Sequence, residues 1–562
     1  MALNLDPISV PWRRVCGFAC CLAWFTALAW WHRGVAMDDP WITFRYAANV
    51  LAGRGWAFNA GDPLEGYSNF TWVLASAAAI WANVEPLGAM RLLGWLCGAT
   101  LLWALCMGWR VVGAPRSVAA GLMLAASYPL AVWSMGGLET VFHALLVYMY
   151  IIALTRSWDR ESAAWGAAAG AILALVAMTR VEGAMFAAVA VGAGMFGIVG
   201  SSSARTTANQ GSLGVSPARL STDYPAGFQG PVTSSISDRE PNPARARRPR
   251  YLGSAVALGV FAVIFGVYTV WRYHAFGVIV ANTVKAKSGS SLDAGVWYFV
   301  SYFAGAPALL LVLAGIALWR IRRQIRNLDA PARLAIVAAM AVGLQLAFAV
   351  AVGGDWMPAA RFIVPALAPL CLLAAWGMAP WPTMVRGGLV SGVLLGGLFA
   401  ARQEPMLRWC RWAAKEEGGL IVEPLREAGQ WLRDNAPPDA VLAGTEAGVI
   451  PYYSKLEFID MLGLVDRHIA ALPGGLHQKF DGAYVIGRRP DFVVLQFTET
   501  PQGEKPTWAP DLSLFQQPDF HGLYREVAAF PRPVPDTSTG RRWGMTAGWL
   551  RIYRRVGGAS DG

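Results

Sequence analysis

The sequence predicts a polytopic α-helical membrane protein with a soluble α/β domain at its C-terminal end. Three observations predict it. Hydrophobic residues fill 55% of the 562 positions and charged residues only 15%, against about 25% in an ordinary soluble chain. Mean hydropathy is +0.39, and uncharged runs close to the ~20 residues a spanning helix needs recur up to residue 401. Beyond 402 that pattern stops, and short helix-period and strand-like segments replace it. The 60 glycines and 26 tryptophans suit membrane helices and their interfaces.

The runs occupy 15–31, 66–84, 92–109, 117–135, 140–155, 162–179, 183–204, 251–271, 294–319, 334–354, 362–385 and 387–401. Arg13 and Arg14 precede the first, and HRGVAMDDP after it offers no small-x-small cleavage site, so a retained signal anchor is expected. Basic loops fall at Arg13/Arg14, Arg110/Arg116, Arg156/Arg160, ARARRPR (244–250), RIRRQIR (320–326) and Arg386. If all twelve runs spanned, these loops would divide between the two sides. The 66–84 run opens with Gly, Tyr, Ser, Asn and Thr. Laid along the interface, it leaves about 11 transmembrane helices and brings every basic loop to the cytoplasmic side. That topology accounts for much of the net charge of +11, and no soluble basic domain or recognition motif speaks for nucleic acid.

The expected organisation is a transmembrane domain over 1–401, with a first outer loop at 32–91, and a soluble extracytoplasmic domain over 402–562. Residues 201–250, rich in Ser, Ala, Pro, Gly and Arg, read as a disordered cytoplasmic insert. In the tail, a helix pattern at 421–434 precedes strand-like VLAGTEAG, LEFIDMLG, DFVVLQF and WLRIYRR. The whole would sit in a bacterial cytoplasmic membrane with its N-terminus inside. Six of seven cysteines lie in apolar runs, and Cys410 stands alone, so neither a disulfide framework nor a Cys/His metal site is indicated.

This topology gathers charge on one face. Asp38, Asp39, Glu65, Glu139, Arg180, Glu182, Arg272, His274, Lys285, Lys287, Asp355 and Arg361 all fall in outer segments. Polar residues between apolar spans are costly and usually functional. Asp39-Pro40 is a good helix start, and WITFRYAANVLAGRG then reads as an amphipathic helix on the membrane surface, stopped by Gly53 or Gly55. One cap needs one carboxylate, so Asp38 is spare, and desolvation at the membrane edge would raise its proton affinity toward that of a general base. His477 and Asp481, spaced i, i+4, read as a surface helix; two ligands make no metal site.

DDPWITFRYAANVLAGRGWAFN (38–59) with EGYSNF (65–70) resembles the first loop of bacterial membrane glycosyltransferases of the GT-C fold. Leu138-Glu139-Thr140, TRVEG (179–183), ANTVKAK (281–287) and VGGDWMPAARFIVPALAPL (352–370) follow in the family's order, as do GVIPYYSKLEFIDMLGLVDRHIA (448–470) and HQKFDGAYVIGRRP (477–490). Among its members the chain is similar to the terminal arabinofuranosyltransferases of cell-wall arabinan. The resemblance implies transfer of a sugar, with inversion, from a polyprenyl-phosphate donor to a cell-envelope glycan or glycolipid acceptor outside the membrane. It requires no cofactor and leaves a divalent cation open. By position Asp38 matches the acid that deprotonates the acceptor, with Asp39 orienting or capping, although the two roles are interchangeable at this stage. Val181 and Ala281 stand where the family has proline, and Lys287 matches its lysine better than Lys285.

Fixed cations stabilise a leaving phosphate most in a water-poor site, which makes Arg180, Lys287 and Arg361 the candidates for donor-phosphate binding. Asp355, Glu182, Tyr67, Asn69 and Trp356 are candidates for positioning substrate. The alternative class is a transporter or flippase of lipid-linked precursors. It would place charge near the midplane, often in repeated halves; here no repeat is visible and the charges lie at one rim.

Overall fold

The computed structural model describes residues 12–107, 114–195, 251–289, 291–322, 328–404, 407–408, 410, 422–475, 477–500, 502–532, 534–536, 544–546 and 548–556. The insert expected at 201–250 lies outside them. The chain enters through α1 (Trp12–Trp31), runs through α2 (Asp39–Leu51) and α3 (Phe70–Trp81), and continues in α4 (Pro86–Met107). The next segment is bent by 61° between α5 (Ala114–Ala125) and α6 (Tyr128–Met135), where Pro129 opens the second piece. α7 (Thr140–Asp159), α8 (Ala163–Thr179), α9 (Val181–Met195) and α10 (Leu252–Phe276) follow. After the short α11 (Asn282–Ala286), α12 (Leu292–Phe303) and α13 (Ala308–Ile321) meet at 93°. α14 (Ala330–Ala351), α15 (Val364–Gly377, entered through a 3₁₀ turn at Arg361–Ile363) and α16 (Thr383–Gln403) complete the helical part.

Among the described residues, six helices are long and apolar enough to cross a membrane, or eight if each bent pair counts once. α8, α9 and α15 are shorter apolar helices beside these. α3 has 12 residues, about 18 Å of helix, too little for a ~30 Å hydrocarbon core. The chain is a polytopic helical membrane protein. Small residues let its helices approach closely: a Cβ on Gly170 of α8 would lie 2.3 Å from the Ala257 carbonyl oxygen of α10.

The C-terminal part begins with a helix at Glu423–Asn435, whose Leu425, Ala428, Gly429 and Leu432 form its buried stripe. Its strands are β1 (Val441–Gly444), β2 (Glu457–Asp460), β3 (Phe492–Thr500), β4 (Gly503–Pro506), β5 (Tyr524–Pro531), β6 (Val534–Asp536), β7 (Gly544–Thr546) and β8 (Gly548–Arg555). The main sheet runs β2-β1-β3-β8-β5, with β4 on β3. β1 is parallel to β2 and β3, while β8 is antiparallel to β3 and β5. β3 is buried from Phe492 to Thr498, as a continuous apolar run predicts for a central strand.

α2 differs from its expectation as a helix lying on a membrane surface. Its residues from Pro40 to Ala47 are all buried, because the first outer loop packs on one side, against Thr43 and Tyr46, and the C-terminal part covers Phe44 and Arg45 on another. Arg45 joins the two: Nε donates to the Phe58 carbonyl (2.9 Å), Nη1 to Pro451 (2.5 Å) and Nη2 to Leu456 (2.7 Å). Asn59 adds a reciprocal pair with the Phe458 backbone, at 2.8 and 3.0 Å.

Candidate active site

The start of α2 decides which aspartate faces where. Asp38 is the N-cap residue, yet its side chain makes no capping bond. Its Oδ2 instead accepts the Gly448 N–H at 2.6 Å and its Oδ1 the Val449 N–H at 2.7 Å. Only glycine permits this approach, since a Cβ on residue 448 would sit 1.9 Å from the Asp38 carbonyl oxygen. Desolvation pushes the Asp38 carboxyl well above the usual range, Glu446 and Asp39 add to the push, and the two N–H bonds oppose it. The carboxylate is nonetheless occupied in holding the C-terminal part. Asp38 is absent from the walls of the neighbouring cavity, and Asp39 is part of them. Expected as the proton acceptor, Asp38 has the surroundings of a docking residue. Asp39, expected to cap, reaches the cavity and lies 3.6 Å from Lys287 Nζ.

That cavity, about 390 Å³, gathers residues from six separated segments, one of them Leu464 of the C-terminal part. The first outer loop supplies Asp39, Tyr67 and Asn69, the α6–α7 turn supplies Glu139, and the α8–α9 break supplies Arg180 and Glu182. α11 brings Thr283, its C-cap residue is Lys287, and the 353–361 loop brings Asp355 and Arg361. Of the sequence-predicted site residues, only Asp38 and Trp356 fall outside the lining.

The charges are paired with unequal tightness. Arg180 Nη1 meets Glu139 Oε1 at 2.6 Å and its Nε bonds Glu182. Glu139 Oε2 also accepts the Asn69 amide at 2.8 Å, and Thr43 bonds Asn69 in turn. Burial favours protonation of Glu139, but Arg180, Arg361 and the Asn69 amide hold its carboxyl below the usual value. Arg361 Nε donates to Asp355 Oδ2 at 2.6 Å. Against these buried pairs, Asp39–Lys287 is longer and half-open, with side-chain exposures of 17% and 32%. The Tyr67 hydroxyl and Thr283 Oγ1, both buried, have no hydrogen-bond partner among the described residues. Orphaned groups of this kind in a cavity wall call for a partner.

Two loops at the rim hold unusual backbone. Gly353, Gly354, Ala359 and Ala360 all have positive φ (81°, 78°, 57° and 44°) in the loop that carries Asp355, Trp356 and Arg361. Opposite them His477 has φ 62°. For non-glycine residues such conformations cost on the order of 1–3 kcal/mol each and cluster at functional sites. His477 does not share a helix with Asp481, which overturns that reading. Asp481 caps the helix Gly482–Gly487 through the Tyr484 N–H and bonds His468 at 2.9 Å. His477 instead sets its ring against Trp356, centroids 5.3 Å apart at 72°. A lone histidine in a loop carries no spacing signal, so its place beside Trp356 was not expected.

A second cavity, about 220 Å³, abuts the first and shares Ser68, Val181 and Val284 with it. Its wall includes Phe265, Tyr268, Ile279 and Val280, and the Arg272–Glu65 pair (2.5 Å) closes one side. Among the described residues no group of three or more His, Cys, Asp or Glu side chains is arranged to hold a metal ion.

A family model described as a domain of unknown function (DUF8728) matches residues 414–553. No curated protein matches the chain in sequence. Solved structures do match in fold. The apo oligosaccharyltransferase of Archaeoglobus fulgidus aligns with a TM-score of 0.55 over 98% of this chain and 90% of its own, at 11% identity. ArnT from Cupriavidus metallidurans, bound to undecaprenyl phosphate, gives 0.53 over 95% and 97%, at 13% identity. AglB from Archaeoglobus fulgidus, with an inhibitory peptide and a dolichol-phosphate, gives 0.53 over 93% and 80%, at 10% identity. These structural neighbours are glycosyltransferases of the GT-C fold, and the chain shares that fold.

Proposed function

We propose that the protein is a membrane glycosyltransferase that moves a sugar from a polyprenyl-phosphate donor to a hydroxyl of a cell-envelope glycan or glycolipid, with Asp39 as the proton acceptor. Support comes from the neighbours of the same fold, which were solved with undecaprenyl phosphate and dolichol-phosphate. The observation that carries the reading is the cavity itself: one loosely paired carboxylate beside one loosely paired ammonium, among ion pairs that are already closed.

In this reading the acceptor hydroxyl gives its proton to Asp39 as its oxygen bonds the anomeric carbon. The bond from that carbon to the phosphate oxygen breaks on the far side, inverting the centre, and the electron pair leaves with the polyprenyl phosphate. Lys287 meets the growing phosphate charge, as does Arg361, whose Nε is taken by Asp355 and whose terminal nitrogens form the fork for phosphate oxygens. Arg180, engaged by two carboxylates, is reassigned from phosphate binding to fixing Glu139 and Glu182. Tyr67 and Thr283 supply waiting hydroxyls to the donor sugar, and Asn69 and Asp355 orient the groups around it. The second cavity, which joins the first at Ser68, Val181 and Val284, takes the start of the isoprenoid chain and leads it to Ile279, 61% exposed on the flank.

We assign the protein to a bacterial cytoplasmic membrane, with the C-terminal domain outside and arabinofuranose as the first sugar to test. Purified protein is incubated with radiolabelled polyprenyl-phosphate arabinofuranose or mannose and envelope glycan fractions. Asp39→Asn is expected to lower transfer about 10²–10⁴-fold, the range for a lost general base, with an unchanged melting temperature. Equal transfer by that variant removes the base assignment, and no transfer from any donor removes the reaction. For the topology, a periplasmic reporter fused after residue 401 is expected to be active and one within 201–250 silent.

A further inference from the structure

We infer that Trp356 and His477 form an acceptor subsite at the mouth of the cavity, shaped for the ring of a saccharide. The inference rests on the proposed function for the meaning of "acceptor" and goes beyond it in naming the residues and the ligand class. Neither side chain is used by the reaction as described.

Four observations converge here. Trp356 is a large aromatic left 38% exposed in a loop whose adjacent side chain, Asp355, lines the cavity. Its edge contact with His477 gives the mouth a two-ring corner. The His477 imidazole lies close enough to Lys287, Asp39, Glu446 and Asp355 to feel their charges, which puts the corner in the neighbourhood of the proposed base. Both loops hold these residues with left-handed, non-glycine backbone nearby, conformations that persist only where the surroundings enforce them. The backbone around His477 is held by Lys479, whose Nζ donates to the carbonyls of Lys285 (2.5 Å) and Ala470 (3.3 Å) and to Ser288 Oγ (3.2 Å). The backbones of Gly474 and Gly289 also touch there.

The chemistry selects the ligand. An exposed indole offers a flat apolar face to the C–H side of a sugar ring, and few side chains bury more area. Burial and the nearby Lys287 hold the imidazole below its ordinary proton affinity. A neutral imidazole offers one donor and one acceptor, the pair that adjacent sugar hydroxyls require. Glu446, bonded to Gln496 at 2.7 Å and Arg532 at 2.9 Å, continues this polar surface at the carboxyl end of β1. In open α/β sheets that end is where ligands settle.

The test uses the full chain in detergent or nanodiscs, with arabinan and mannan oligosaccharides as soluble probes. Binding is measured without donor by calorimetry, and transfer with donor by acceptor titration. Trp356→Ala and His477→Ala are each expected to weaken oligosaccharide binding and raise the acceptor KM at least tenfold, with kcat changed less than threefold. Trp356→Phe and His477→Gln recover part of the loss, which a merely unfolded loop would not allow. An unchanged acceptor KM in both alanine variants, equal losses in kcat and donor KM, or competition by acidic or hydroxyl-bearing peptides in place of saccharides overturns the subsite. Saccharide binding that depends on both residues, without transfer by the wild type, keeps the subsite and removes the reaction. Transfer with an unaltered acceptor KM does the opposite.

Discussion

Asp38 and Asp39 are one peptide bond apart and meet different partners, two backbone N–H groups in one case and a lysine across a cavity in the other. Sequence position could mark the pair as special but could not divide its labour, because the partners of Asp38 lie 410 and 411 residues away. The same blindness applies to His477. A different acid carries the clearest pH dependence. Asp460 is fully buried at the end of β2, its oxygens accepting the N–H groups of Leu462 and Val465, both at 2.9 Å. Burial raises it from 3.8 to about 7, against the pull of those bonds. The folded protein thus keeps this proton where the unfolded chain has lost it. The contribution is fully present below pH ~4, declines as pH rises through about 7, and totals on the order of 4 kcal/mol at most. In denaturant titrations from pH 4.5 to 8, Asp460→Asn is expected to flatten that decline; an unchanged slope assigns it elsewhere.

At the scale of elements, the helices were legible where periodicity or hydropathy speaks. The expected helix at 421–434 is found at Glu423–Asn435, and the four strand-like stretches all contain strands. What stayed illegible was contact between distant elements. α2 has the pattern of a surface helix; Tyr46 is buried by the folded-back first loop, against Phe58 and Tyr67, and Arg45 by the covering C-terminal domain. α11 shows how such contacts work. Its first residue, Asn282, donates through Nδ2 to the carbonyls of Gly463 (2.8 Å) and Leu464 (3.1 Å), and through its N–H to Glu65 (2.9 Å). Five residues on, Lys287 faces Asp39. Asn282→Ala strands buried carbonyls at a cost of about 1–3 kcal/mol, and the freed α11 no longer fixes its lysine. Transfer is expected to fall about tenfold or more while the bulk of the helical part melts as before. Full activity would show that Lys287 is positioned by something other than α11.

At the scale of the whole molecule, Arg45 decides whether two parts act as one. Its fork meets three carbonyls, two of them in the C-terminal domain. Hydrogen bonds from a charged donor contribute ~1.5–3 kcal/mol each, so Arg45→Ala is expected to uncouple the domain, visible as a separate unfolding step and faster proteolysis near residue 422. Arg45→Lys should fare little better, since an ammonium lacks the planar fork; a single unchanged transition in both variants would contradict this. The seating of Asp38 on Gly448 and Val449 has a further meaning for biogenesis. The first outer loop is synthesised before the C-terminal domain, and the two anchors of Asp38 come ~410 residues after it. At about 5–20 residues per second, the nascent chain spends roughly 20–80 s with an acid in place and no finished cavity around it. Under the proposed function, a lipid-linked sugar met during that interval would find an incomplete site, and transfer would begin only when the C-terminal domain closes onto the first loop.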